Sequence, residues 1–168
     1  MKQKNNKVDM KKLSLIIIAA VVVVVIAFSF PKEDKGKNGN SLKNPVVKDN
    51  DIVIQSADVT EEPGFYPARI NDVDVEVIAV KASDGTIRTA FNTCQVCYGS
   101  GKGYYEVAGD KLVCQNCGNR FGMDDIEVTR GGCNPVPITS EYKTVSDDTI
   151  TITKDLLTQA TEIFANWK

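Results

Sequence analysis

The chain has 168 residues, of which 42% are hydrophobic and 25% charged, and it contains no histidine. The missing imidazole excludes a Ser-His-Asp or Cys-His nucleophile, histidine-bound zinc, a Cys-x-x-Cys-His haem attachment and a Rieske centre. The net charge of −2 is unevenly divided: the first twelve residues carry five Lys against one Asp, and the remainder carries 15 basic and 21 acidic residues. That acidic remainder argues against nucleic acid as a partner.

The first element is Leu13 to Phe30, eighteen residues without a charge. As a helix it spans about 27 Å, just enough for a hydrocarbon core of roughly 30 Å. The five Lys precede it, so the positive-inside rule makes residues 1–12 a cytoplasmic basic tail and places the rest outside the cell membrane. A cleaved signal peptide is the rival reading, because Ala27-Phe28-Ser29 offers a small-x-small site. The apolar run exceeds a usual signal core, which favours a single-pass transmembrane anchor over 13–30. Residues 31–50 are polar and rich in Gly, Asn, Pro and Lys, which predicts a flexible tether. Residues 51–168 then form one small extracytoplasmic domain with a modest core.

Within that domain, Asp51–Gln55 reads as a short strand and Glu61-Glu62-Pro63-Gly64 as a turn. Phe65–Ile70 is extended, with Pro67 confining it to an edge. Val73, Val75 and Val77 alternate with Asp74 and Glu76, a half-buried strand that continues to Val80. Ser83-Asp84-Gly85 turns the chain into a return strand over Thr86–Phe91. Tyr104–Ala108 and Lys111–Val113 flank Gly109-Asp110 as a tight hairpin. Ile126–Thr129 is predicted as a strand, whereas Asn134-Pro135-Val136-Pro137 is predicted to lie outside regular structure. Thr149–Thr153 is a further strand. Lys154–Trp167 carries apolar residues at helical spacing, with Thr153 as its N-cap. The expected fold is mainly β with a C-terminal helix (small α+β), short-stranded, with a zinc-ribbon-like double Cys-x-x-Cys element.

The chemistry lies in the cysteines. Cys94 and Cys97 are separated by two residues, as are Cys114 and Cys117, and sixteen residues lie between the pairs. This spacing suits a four-thiolate site. Each two-residue turn points two sulfurs at one ion, and a hairpin brings the two turns face to face. Outside the cytoplasm thiols are expected to be metal-bound or oxidised. Two disulfides would leave Cys133 over. Thioredoxin-type exchange expects a Cys-x-x-Cys opening a helix, whereas these pairs sit among short strands and glycines. Cys133, in Gly131-Gly132-Cys133-Asn134-Pro135, reads equally as a metal ligand or as a small buried apolar residue. Four thiolates serve iron–sulfur clusters and zinc alike, and also admit cuprous copper.

Other signals are weaker. Gly99-Ser100-Gly101-Lys102-Gly103 lacks the spacing and hydroxyl of a phosphate loop and reads as a plain loop. Asp124-Asp125 and Glu61-Glu62 read as solvated turns. Tyr98, Tyr104, Tyr105 and Met123 read as packing residues around the cysteines.

The run Val77–Cys97, Lys102-Gly103-Tyr104, Val113-Cys114-x-Asn116-Cys117-Gly118, Phe121 and Gly131-Gly132-Cys133-Asn134-Pro135 together resemble the FtrD-like membrane iron–sulfur protein family. The resemblance covers about residues 52–168 and includes all five cysteines. It implies a membrane-bound or exported metal-thiolate protein of iron-uptake systems that include an iron permease, passing electrons or handling metal. It also implies Cys94, Cys97, Cys114, Cys117 and Cys133 as candidate ligands. Many relatives carry the domain after several membrane spans, whereas this chain offers one. On this basis the protein is a metal-binding or electron-transfer protein rather than an enzyme. Two alternatives remain: a structural zinc ribbon that serves a module binding a membrane partner, and an exported thiol–disulfide oxidoreductase.

Overall fold

A computed structural model of the chain describes residues 44–168. The basic tail, the apolar run 13–30 and most of the tether 31–50 lie outside the described residues. Among the described residues, no helix is long and apolar enough to cross a membrane. These residues form mainly β-structure closed by one helix, as the sequence pattern indicates. The strands are β1 (Val47–Lys48), β2 (Ile52–Gln55), β3 (Gly64–Ile70), β4 (Val73–Lys81), β5 (Ile87–Cys94), β6 (Tyr105–Ala108), β7 (Lys111–Cys114), β8 (Arg120–Gly122), β9 (Pro135–Pro137), β10 (Thr144–Val145) and β11 (Thr149–Ile152), followed by helix α1 (Lys154–Phe164).

Three sheets result: a five-stranded one in the order β1-β3-β4-β5-β9, and two three-stranded ones, β10-β11-β2 and β6-β7-β8. Strands β3 and β4 pair in antiparallel register from Gly64–Ala79 to Ile70–Val73. The two residues between them, Asn71 and Asp72, have φ of 48° and 64°. Asn and Asp tolerate that left-handed region, and a two-residue loop of this kind matches the twist of the flanking strands.

Strand β4 explains the layering. Its early alternation gives way to an unbroken buried run, Val77-Ile78-Ala79-Val80, the signature of a strand covered on both faces. Val75, Val77 and Ala79 face a cluster with Ile52, Ile54, Ile150, Ile152, Leu157, Phe164 and Trp167. Ile78 and Val80 face a second cluster with Cys94, Cys97, Tyr105, Leu112, Cys114 and Phe121. The five-stranded sheet thus separates a helix-covered core from a cysteine-lined one. Helix α1 starts where Thr153 Oγ1 accepts from the Leu156 amide, the expected cap.

Three expectations are corrected. Ile126–Thr129 is a turn, not a strand: Glu127 takes φ 66°, which breaks any ladder and aims its carboxylate inward at Thr89. Pro135–Pro137 is regular after all. It forms the edge strand β9, pairing Ala90 with Pro137, Phe91 with Val136 and Cys94 with Pro135. An edge strand needs donors on one side only, so proline fits there. Val47–Lys48, placed in the tether by its polar surroundings, pairs in parallel with Ala68 and Arg69 of β3, which takes β3 off the sheet edge to which Pro67 was expected to confine it.

Candidate metal centre

The site is built by two matching turns, each at the end of a strand. β5 ends at Cys94 and β7 ends at Cys114. In the first turn the amide of Cys97 donates to Cys94 Sγ at 3.4 Å, and the Val96 amide also points at that sulfur. In the second, the amides of Cys117 and Asn116 favour the Cys114 thiolate. The Gly118 amide closes that turn onto the Cys114 carbonyl at 2.9 Å. Amides converging on sulfur favour the thiolate, the form that binds metal.

A shift in register between Phe91 and Cys94 lets β5 bend at Asn92-Thr93, and such irregularities re-aim side chains beside functional sites. Both residues are buried. Asn92 replaces the missing ladder bonds with its side chain: its Oδ1 accepts from the Tyr105 amide at 2.8 Å and its Nδ2 donates to Glu76 at 2.7 Å. It thereby joins β6 to β5 across the bend. Its carbonyl accepts from the Trp167 indole at 2.6 Å, tying the chain's end to the same joint. The C-terminal segment also holds the loop after Cys97, with Asn166 Nδ2 donating to the Gly99 carbonyl and the Gly101 amide donating to the Asn166 carbonyl.

Gly103 returns the chain across the first turn. A Cβ there would lie 2.5 Å from the Cys97 carbonyl oxygen and 2.8 Å from Tyr98 Cα, so only glycine fits without moving the backbone. Its carbonyl accepts from the Cys94 amide at 2.7 Å.

Cys133 reaches the site from a third segment. Gly131 and Gly132 take φ of 82° and 71°, a reversal that side chains resist. Gln95, inside the first turn, grips this loop: its amide donates to the Asn134 carbonyl, its Nε2 to Pro135, and its Oε1 accepts from Gly131. The Cys133 carbonyl accepts from Tyr105 Oη at 2.6 Å and from Asn119 Nδ2 at 2.8 Å.

All five sulfurs come together. The Sγ atoms of Cys94, Cys97 and Cys114 lie within 4.8 Å of one another, as do those of Cys97, Cys117 and Cys133. Cys94, Cys97 and Cys114 are buried, Cys133 is half-buried and Cys117 is exposed. All five are free thiols. Burial pushes the Cys94 thiol up, but hydrogen bonds to its sulfur, the Val96 and Cys97 amides among them, outweigh it and hold the thiol below its ordinary value. The Asn119 amide lowers Cys117. Burial raises Cys97, and pushes Cys114 up to about 12. Cys133 is pushed up to about 12 by its hydrogen bond with Cys117. Crowded thiols of this kind resist shared deprotonation until a cation offsets their charge.

A family model for "Membrane iron-sulfur containing protein FtrD-like" matches residues 60–164, a span that takes in both cysteine turns and Cys133. The chain belongs to the FtrD-like family. Searches of curated proteins and of solved structures gave no match. The donor set of this FtrD-like chain fits an iron–sulfur group: both trios contain sulfur alone, without a carboxylate, and thiolates are the usual ligands of such clusters. Neither cysteine pair opens an α-helix. Cys97 leads into the short 3-10 turn Tyr98–Ser100, and the α-helix of the described residues begins at Lys154.

The remaining signals resolve into structure. Asp124 accepts from the Ser83 amide and hydroxyl at 2.7 and 2.8 Å, and Tyr104 packs edge-on against Trp167. Asn92, Gln95 and Asn119 are the residues the sequence reading missed. Asn92 alone left a trace, an amide side chain directly after the strand predicted over Thr86–Phe91.

Proposed function

We propose that this protein is a membrane-anchored, extracytoplasmic iron–sulfur-type metal-thiolate protein that passes electrons or metal within an iron-uptake system. Its ligands are Cys94, Cys97, Cys114, Cys117 and Cys133, and the anchor is the apolar run 13–30. The observation that carries the reading is the convergence of five thiols from three separate segments, in a chain whose family is described as iron–sulfur. When bound, such a group supplies a one-electron couple tuned by its charge, its exposure and the hydrogen bonds to its sulfurs. The protein's own part is to aim amides at Cys94 and Cys114, to bury three sulfurs, and to leave Cys117 at the surface. An exposed edge gives a redox or metal-transfer partner an approach that a sealed site would deny. An iron permease is the partner class this role implies.

A second reading, structural zinc, draws on the β6-β7-β8 sheet with its two facing turns, an arrangement that zinc ribbons share. The test is metal content and absorption of the full chain, purified in detergent without oxygen. Iron with acid-labile sulfide, and visible absorption that bleaches on reduction, are expected. One colourless zinc per chain would overturn the redox role in favour of the ribbon. Absence of metal, with thiols recovered as disulfides, would overturn both.

A further inference from the structure

Helix α1 ends at Phe164, and residues 166–168 run from it onto the elements that place the first cysteine turn. They lie beyond residue 164, where the family match stops. Trp167 is their anchor. It is 7% exposed and packs edge-on against Phe164 and Tyr104, with ring centroids 5.0 and 6.3 Å away. A buried indole needs a partner for its N–H, and this one donates to the Asn92 carbonyl at 2.6 Å, at the bend that leads into Cys94. Lys168 covers the anchor. Its Nζ lies 3.9 Å from the Trp167 ring centroid and 4.9 Å from that of Tyr104. It also pairs at 3.3 Å with Glu76, the carboxylate that accepts from Asn92 Nδ2.

Held in this way, Asn166 reaches the loop that follows Cys97. Its Nδ2 donates to the Gly99 carbonyl at 2.8 Å, and its own carbonyl accepts from the Gly101 amide at 2.9 Å. The two bonds bracket Ser100, whose amide donates to the Cys97 carbonyl at 2.9 Å. Among the described residues, the hydrogen bonds that reach Tyr98–Lys102 from segments remote in sequence come from Asn166. Glycine at 99, 101 and 103 leaves this stretch little stiffness of its own. Cys97 nevertheless stays within the buried cluster. Asn166 is exposed, so packing gives its side chain no reason to lie there, and the Gly99 bond does.

Building on the metal-thiolate reading above, we propose that Asn166 is a positioning residue for Cys97, with Trp167 as its anchor. Through Ser100, the grip on Gly99 and Gly101 fixes where the Cys97 peptide lies, and with it the direction of the Cys97 sulfur. The end of α1 thereby takes part in the centre without supplying a ligand.

The test uses the full chain in detergent, stripped of metal, reduced, and reloaded without oxygen with cobalt(II) alone as the probe. Cobalt–thiolate charge-transfer and ligand-field absorption report the geometry of the sulfur ligands. Asn166→Ala should shift those bands and weaken cobalt binding in chelator competition by roughly 2- to 12-fold, the worth of one hydrogen bond. Hydrogen exchange should quicken at the Cys97, Ser100 and Gly101 amides, while β3 and β4 keep their protection. Trp167→Phe retains the ring, loses the indole N–H, and should shift the bands in the same direction. Glu162→Ala, exposed on α1, is the control and should change neither bands nor exchange. Unchanged exchange in Asn166→Ala overturns the proposal. Faster exchange at Ser100 and Gly101 with unchanged bands and affinity also overturns it, because the grip would then hold the loop without placing Cys97. If the unmutated chain takes up no cobalt, the metal-thiolate reading fails by itself. The positioning of Cys97 is then decided at its amide, which donates to Cys94 Sγ at 3.4 Å: faster exchange there in Asn166→Ala supports it, and equal exchange overturns it.

Discussion

Gly103→Ala tests whether the first cysteine turn is held by close backbone packing. The added Cβ would meet the Cys97 carbonyl oxygen at 2.5 Å, its carbon at 2.7 Å and Tyr98 Cα at 2.8 Å, where ordinary contact begins at 3.4 Å. All three are backbone atoms, so no rotamer change relieves the overlap. Either Gly103 withdraws, stretching the 2.7 Å bond from the Cys94 amide, or the Cys97 peptide moves by nearly an ångström. Overpacking of this order costs about 1–3 kcal/mol. Spent at the backbone of a proposed ligand, that corresponds to a loss of roughly 5- to 150-fold in metal affinity. Chelator competition with cadmium on the full chain measures it, with the emission of Trp167, the chain's single tryptophan, as the check on folding. Gly99→Ala is the control, because a Cβ there meets nothing within 4 Å and should leave affinity unchanged. Equal affinity of Gly103→Ala and the unmutated chain would refute the claim that this packing sets the turn.

Glu127, Lys143 and Thr89 form a clasp across the base of the Cys133 segment. Lys143 Nζ, on a side chain 5% exposed, pairs with Glu127 and reaches Thr89 Oγ1 at 3.0 Å, and the Thr89 amide also donates to Glu127. Glu127→Ala strands the ammonium and should cost about 3–5 kcal/mol. Lys143→Met leaves Glu127 its two Thr89 donors and should cost less, about 1–2 kcal/mol. In urea denaturation the double variant should be non-additive by about 0.5–3 kcal/mol, and strict additivity would dissolve the clasp. A second prediction concerns acid. The Thr86 hydroxyl and amide, followed by Arg88, hold Asp84 down to about 2 from 3.8. A depressed carboxylate contributes stability that is fully present above its unfolded value and is lost as pH falls through its folded one. The urea midpoint should therefore drop between about pH 4 and pH 2. Asp84→Asn should lower it at neutral pH and flatten that limb, and an unchanged acid limb would count against the assignment.

Much of the fold was legible because hydrophobic period carries it. The alternation from Val73 to Val77, the turn at Ser83-Asp84-Gly85 and the stripe of α1 each follow from side chains meeting one face. The misses share a cause: a long-range partner overrode the local signal. Pro135 and Pro137 look incompatible with a strand until β5 supplies the neighbour and the sheet edge supplies the missing side. Ile126–Thr129 looks like a strand until Thr89 and Lys143, distant in sequence, draw Glu127 into a left-handed turn. At the site, the two Cys-x-x-Cys turns were legible from spacing, because each is a local structure. Spacing could not reveal how the sulfurs group. That Cys133 joins Cys97 and Cys117 depends on Gln95 and Asn119 holding a remote loop.

On the metal-thiolate reading, the two hydrophobic clusters should depend on metal to different degrees, and this yields a further prediction. Cys94, Cys97 and Cys114 are themselves members of the second cluster, beside Tyr105, Leu112 and Phe121. The first cluster holds α1, β2, β11 and the opposite face of β4 and contains no cysteine. Sheet β6-β7-β8 has strands of 4, 4 and 3 residues, and its buried face packs on Cys94, Cys97 and Cys114 themselves. Its ordering and the charge balance of the thiols are therefore one event, as in other small metal-stabilised units. Stripping the metal should abolish hydrogen-exchange protection at the amides of Tyr105–Ala108 and Lys111–Cys114 while those of β3, β4 and α1 keep theirs. Restoring metal should recover the loss, and Cys114→Ser should mimic the stripped chain in the second cluster only. A uniform loss of protection across both clusters would mean that the five-stranded sheet transmits the disruption and that the domain has a single cooperative core.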